Sequence, residues 1–176
     1  MPYQVKIYRG KIRPISEEIV QSLVQEGDIE VAPEETEEVI LDVEAIIKEY
    51  IRLDEDLSRQ AREILQQRGL SYTEFGKVKR GLAEEKKFEG GDRAMFWIGT
   101  QILECFMVNH RVSEIYSEDW VMRKKMVKIF DKQLGLEEQV DKEARARIKN
   151  IQEGTPEWEI EYKKLYNQIA RKRGLL

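Results

Sequence analysis

The sequence predicts an all-α protein built from two pseudo-repeats of helix, long helix and helix. It also predicts an elongated molecule with coiled-coil-like packing of the long helices. Three observations carry this reading. Charged residues make up 36% of the 176, against about 25% in an ordinary soluble domain, while Gly (11) and Pro (4) are sparse. An ungapped shift of 83 residues superimposes Ile12–Leu65 on Met95–Ile148 with matching apolar positions, among them Ile15/Ile98, Ile19/Ile102, Leu23/Phe106, Val43/Met126 and Leu57/Val140. Finally, Val39, Val43, Ile46, Tyr50, Leu53 and Leu57 are spaced 4, 3, 4, 3, 4, which is the seam of a coiled coil. Internal self-similarity of this length points to tandem units, expected at 1–89 and 92–176.

Each element has a local reason. Pro14 suits the opening turn of a helix whose Ile15, Ile19 and Leu23 share a face up to Gly27. Asp28–Ala32 connects it to a long helix from Pro33 to about Arg68, where Gly69 fits a left-handed cap followed by apolar Leu70. Ser71 and Glu74 form a capping box for a third helix reaching about Lys87. Glu89-Gly90-Gly91-Asp92 marks the boundary between units, with Asp92 as N-cap. The scheme then repeats as Asp92–Asn109, Ser117 to about Gln152 with Gly135 inside it, and a helix from Thr155-Pro156 to Lys172. Ala94–Val108 is apolar on nearly every face and is expected to be a central element buried on all sides, Trp97 included, with a dimer interface as the alternative. The alternation Tyr3-Gln4-Val5-Lys6-Ile7 reads as a strand that needs Ile29–Val31 or Val112–Tyr116 as partner, a minor two-stranded element.

Length argues for an extended shape. Thirty-five helical residues from Pro33 span about 52 Å, whereas a compact chain of this size is about 40 Å across. Charge is uneven as well. Glu26–Asp56 holds 13 acidic and 2 basic residues, and Met122–Lys149 holds 9 basic and 5 acidic. The basic cluster Arg123, Lys124, Lys125 and Lys128 is therefore expected to face the acidic surface of the first unit or of a second copy, as in a homodimer.

Most chemistry is excluded by what the chain lacks. One Cys, Cys105, permits no internal disulfide, which suits a reducing compartment. One His, His110, supports neither a di-iron bundle nor a zincin. Cys105 and His110 lie five apart on one helix, about 140° around its axis, so they diverge. No phosphate-binding loop, dinucleotide fingerprint or nucleophile elbow is present. Carboxylate pairs abound on solvated helices without apolar surroundings to raise a pKa. No catalytic, metal or cofactor residue is expected. The first thirteen residues carry four cations and no apolar run, unlike a signal peptide, and no segment approaches the roughly 20 apolar residues of a membrane span. A cytoplasmic protein without membrane contact is the expectation.

One surface remains. The last helix interleaves Trp158, Tyr162, Lys163, Lys164, Tyr166, Arg171, Lys172 and Arg173, a mixture able to stack bases and neutralise phosphates. Trp158, Tyr162, Leu165 and Ile169 also follow i, i+4, i+7, i+11, the stripe of an ordinary buried face.

Lys11-Ile12-Arg13 before a helix, Tyr50-Ile51-Arg52-Leu53, and Gly154-Thr155-Pro156-Glu157-Trp158 leading to Arg171-Lys172-Arg173-Gly174 resemble uncharacterised bacterial proteins grouped as domain-of-unknown-function family 507. The resemblance covers nearly the whole chain, and some members look like one copy of the unit found twice here. It implies a bacterial helical protein and brings no activity, ligand or catalytic residue. The expected function is a non-enzymatic protein-interaction or scaffold module, with RNA or DNA binding through the last helix as the alternative.

Overall fold

A computed structural model describes residues 6–172 of the chain. Six α-helices and one two-stranded sheet occur among them, in the order α1 (Arg9–Gln25), β1 (Ile29–Val31), α2 (Thr36–Arg68), α3 (Phe75–Glu85), α4 (Ala94–Val108), β2 (Val112–Ile115), α5 (Asp119–Arg147) and α6 (Pro156–Lys172). The element order itself repeats: helix, strand, long helix, helix, with the second set displaced by the same 83 residues to within a few positions. Burial repeats with it. Ile15/Ile98, Ile19/Ile102, Leu23/Phe106, Val39/Met122, Val43/Met126 and Ile47/Phe130 are buried in both copies.

Local chemistry explains the boundaries. Gly69 ends α2 at φ 62°, ψ 32°, and the Leu70 amide donates to the Leu65 carbonyl at 2.9 Å, satisfying an orphan acceptor at the helix end. Ser71 accepts from the Thr73 amide at 3.4 Å over a short 3₁₀ turn that leads into α3. Two helices differ from expectation. α1 begins at Arg9, so Pro14 lies inside the helix rather than in its opening turn, and α5 stops at Arg147 rather than near Gln152.

The strands Ile29–Val31 and Val112–Ile115 pair with each other, antiparallel. Of the strand expected at Tyr3–Ile7, residues 3–5 lie outside the described residues, and Lys6 and Ile7 carry no strand. Ile7 is buried all the same.

The chain divides into two compact units, Met1–Gln133 and Leu134–Leu176. These units are cut elsewhere than the sequence repeats, because Glu89–Asp92 falls inside the first of them. An aromatic trio explains why. Phe88, buried, stacks on Tyr50 at 5.1 Å and tilts against Trp97 at 5.1 Å, and the Trp97 indole donates to the Lys87 carbonyl at 3.0 Å. The segment between α3 and α4 is thereby packed against α2.

Within the first unit, α2 buries Val39, Ile40, Val43, Ile47, Tyr50, Leu57, Ala61 and Leu65. Ile46 and Leu53 of the heptad seam are only half-buried, and Ile40 and Ile47 are buried beside them. Val43, Tyr50 and Leu57, one heptad apart, stay buried, and because α1, α3 and α4 all pack on this helix its buried face is not the single seam of a two-helix coil. The α4–α5 contact requires a small residue at Gly99, where an added Cβ would meet Arg123 Cγ at 3.1 Å. Its counterpart in α1 is Ser16, buried, whose hydroxyl donates to the Ile12 carbonyl at 2.7 Å.

The second unit has its own small core of Val140, Ala144, Ile169 and Ala170, against which Tyr162, Leu165 and Tyr166 pack.

Candidate functional site

The aromatic and basic residues of α6 have different surroundings. Trp158 and Tyr162 stack nearly parallel at 5.0 Å, and Tyr166 tilts against Tyr162 at 5.9 Å. The Arg145 guanidinium lies 5.3 Å from the Trp158 ring and 5.5 Å from the Tyr162 ring. It also pairs with Asp141 at 3.0 Å and with Glu153. The Tyr162 hydroxyl donates to the buried Asp141 carboxylate. Burial, then that hydrogen bond, push the Tyr162 phenol well above the ordinary tyrosine range. The rings are thus committed to Arg145 and to the core of their own unit. Lys163, Lys164 and Arg171 are exposed. Lys172 closes the helix, and Arg173 lies outside the described residues.

The basic cluster on α5 splits similarly. Lys125 reaches Asp28 at 2.7 Å and also pairs with Glu26. Both carboxylates hold its ammonium above the ordinary lysine range. Arg123 instead lies 4.4 Å from the Phe96 ring, which carries Arg93 at 4.4 Å as well. Lys124 and Lys128 are exposed. Further along α5, Lys132 meets Glu18 at 2.7 Å; this hydrogen bond chiefly, helped by Gln133, holds the Glu18 carboxyl below the usual range.

Asp28 is the polar centre of this contact. Its side chain is buried and accepts from the Ser117 hydroxyl at 2.5 Å and from Lys125, while its carbonyl accepts from the Tyr116 amide at 2.8 Å. One residue therefore fixes the end of β2 through its backbone carbonyl and the start of α5 through its carboxylate. Cys105 is half-buried, and burial followed by the nearby Asp42 pushes its thiol up, away from nucleophilic character. His110 is exposed. Among the described residues no group of three His, Cys, Asp or Glu side chains is placed to hold a metal ion, and no helix is long and apolar enough to cross a membrane.

The unexpected surface lies on α4, β2 and the start of α5. α4 buries Ala94, Ile98, Gly99, Ile102, Leu103 and Phe106, but its other side is open, which corrects the expectation of burial all round. Trp97 is half-buried. Val108 is 86% exposed, Met107 58%, Tyr116 65% and Trp120 59%. The first copy supplies an internal control. At the positions 83 residues earlier, Val108 corresponds to Gln25, Trp120 to Glu37 and Phe96 to Arg13. In that copy, Arg13 and Glu37 form a bidentate ion pair at 2.7 Å. At these three positions the fold therefore accepts polar side chains, whereas Met107 and Tyr116 correspond to Val24 and Pro33. Laying one copy over the other in the sequence contains this signal, which a search for chemical motifs passes over.

Comparison with known proteins supplies an identity without an activity. None of the curated proteins matches the chain. The family described as protein of unknown function (DUF507) matches residues 5–175, nearly the whole sequence, and the chain belongs to that family.

Proposed function

We propose that this protein is a non-enzymatic interaction module of the cytoplasm whose partner-facing surface is the exposed apolar side of the second copy. The observation that supports it is the set Val108, Tyr116 and Trp120, solvent-exposed within a short stretch of chain. Exposed large apolar side chains lose free energy to water and regain it when a partner covers them. Phe96, between two guanidiniums, adds a cationic aromatic feature of the kind enriched at interfaces. The α6 surface is the lesser candidate. Its exposed Lys163, Lys164 and Arg171 suit phosphate contacts, yet its rings are engaged within their own unit.

The test is purification of tagged full-length protein from its native cell, with and without nuclease, in parallel with a Val108→Asp/Trp120→Ala variant. Both positions are exposed, so the variant should keep wild-type stability to within about 0.5 kcal/mol. A stoichiometric protein that survives nuclease and is lost from the variant supports the proposal. Capture of RNA or DNA that the variant retains, and that Lys163→Glu/Lys164→Glu abolishes, would move the function to α6.

A further inference from the structure

Within Met1–Gln133 the contacts between the two copies come in reciprocal pairs. Glu26, at the end of α1, meets Lys125 on α5. The equivalent positions, Asn109 at the end of α4 and Asp42 on α2, also meet, with the Asn109 amide donating to Asp42 at 2.8 Å. Asp28 bonds Ser117 just before α5, and its equivalent, Arg111, pairs at 2.9 Å with Glu35 just before α2, one position past Glu34, the equivalent of Ser117. The equivalent strands β1 and β2 pair antiparallel, Glu30 opposite Glu114, and shift by one residue at Val31. Contacts in which residue i meets j and j meets i are the mark of a two-fold interface between identical subunits.

The charges at these places are not the same in the two copies. Position 28/111 is Asp in one and Arg in the other, and position 42/125 is Asp in one and Lys in the other. Lys125 pairs with Asp28 as well as with Glu26, so two first copies meeting through this interface would set both Glu26 and Asp28 against Asp42. Two second copies would set Arg111 against Lys125. At positions 28/111 and 42/125, only the pairing of a first with a second copy brings opposite signs together, as Asp28 and Lys125 do at 2.7 Å.

We infer that the chain is a homodimer-like pair fused into one polypeptide, and that opposite charges on its two copies select pairing within the chain over exchange of halves between molecules. The partner that the basic ridge Arg111–Lys125–Lys132 recognises is thus the acidic first copy of its own chain. Repulsion across the unwanted pairings works alongside attraction across the wanted one. This inference is independent of which surface binds an outside partner.

Charge exchange in the full chain tests it. Arg111→Glu/Lys132→Glu sets like charges against Glu35 and Glu18. Its urea midpoint should fall by about 0.5 M at low salt, and the loss should shrink in 1 M NaCl, where the screening length is about 3 Å. Adding Glu35→Arg and Glu18→Lys should restore the midpoint and a monomeric light-scattering mass. If the double variant does not fold, Arg111→Glu and Arg111→Glu/Glu35→Arg form the same comparison with one pair. A midpoint that charge reversal leaves unchanged, or a loss that the exchanged partners do not recover, would overturn the inference.

Discussion

Phe88→Ala separates a packed connection between α3 and α4 from a flexible one. The ring is 6% exposed and lies against Tyr50 and Trp97, both at 5.1 Å. Truncating a buried Phe costs about 3–5 kcal/mol, the lost aromatic contacts included. The site adjoins Gly90, where an added Cβ would stand 3.3 Å from the Phe88 ring, so some collapse into the vacated space is available. We therefore expect the lower end, about 3 kcal/mol, or roughly 6–12 °C in Tm for a chain of this size. Urea unfolding followed by tryptophan fluorescence measures it, because Trp97 reports on the same cluster. Phe88→Leu keeps most of the volume and should lose about 1 kcal/mol. Should Phe88→Ala cost under 1 kcal/mol, or Phe88→Leu cost as much as Phe88→Ala, the ring does not pin the connection.

Three further outcomes follow from particular contacts. Asp28→Ala removes a buried acceptor of two side-chain hydrogen bonds and should lower stability by about 2 kcal/mol in calorimetry; a change below about 0.5 kcal/mol would show the contact contributes nothing net. Gly69→Ala puts a Cβ at φ 62° and should cost about 1 kcal/mol in chemical denaturation, whereas Gly76→Ala, at an open helical site with negative φ, should be neutral or stabilising. Glu18, held below the usual carboxylate range by Lys132, binds its proton more weakly folded than unfolded. Its contribution is fully present above the unfolded value of about 4.3 and is lost as pH falls through the lower folded value. The stability decline from about pH 5 to pH 2 should be steeper in wild type than in Glu18→Gln, and equal slopes would contradict the assignment.

Local signals in the sequence located the helices well, because caps and periodicity are properties of neighbouring residues. Gly69 and the approximate boundaries of α2 and α4 are legible for that reason, whereas Ile29–Val31 and Val112–Tyr116 are expected only as alternative partners of a strand at Tyr3–Ile7. What escaped depends on contacts far apart in the chain. Periodicity cannot say that β1 pairs with β2 rather than with a segment at the N-terminus. It cannot say that Phe88 packs on Tyr50, 38 positions away. The heptad spacing of α2 misplaced Ile46 and Leu53 because several partners share its surface: α1, α3 and α4 all contact this helix. In α4 hydrophobicity all round the helix suggested enclosure, yet Met107 and Val108 remain exposed. The aromatic stripe of α6 was readable as core packing from its spacing; the Arg145–Asp141 network that supports it was not, since charged residues on a helix face give no sign of which ones turn inward.

The pairing of the two copies within one chain is open to a direct measurement. In a Cys105→Ser background, Glu30→Cys and Glu114→Cys place thiols on residues opposite each other across β1 and β2. Directly opposed residues in antiparallel strands stand about 4.5–5.5 Å apart at Cα, within reach of a disulfide. Mild oxidation of dilute protein should give a cross-linked monomer of altered mobility on a non-reducing gel. A covalent dimer as the main product, or free thiols that persist under oxidation, would contradict the pairing.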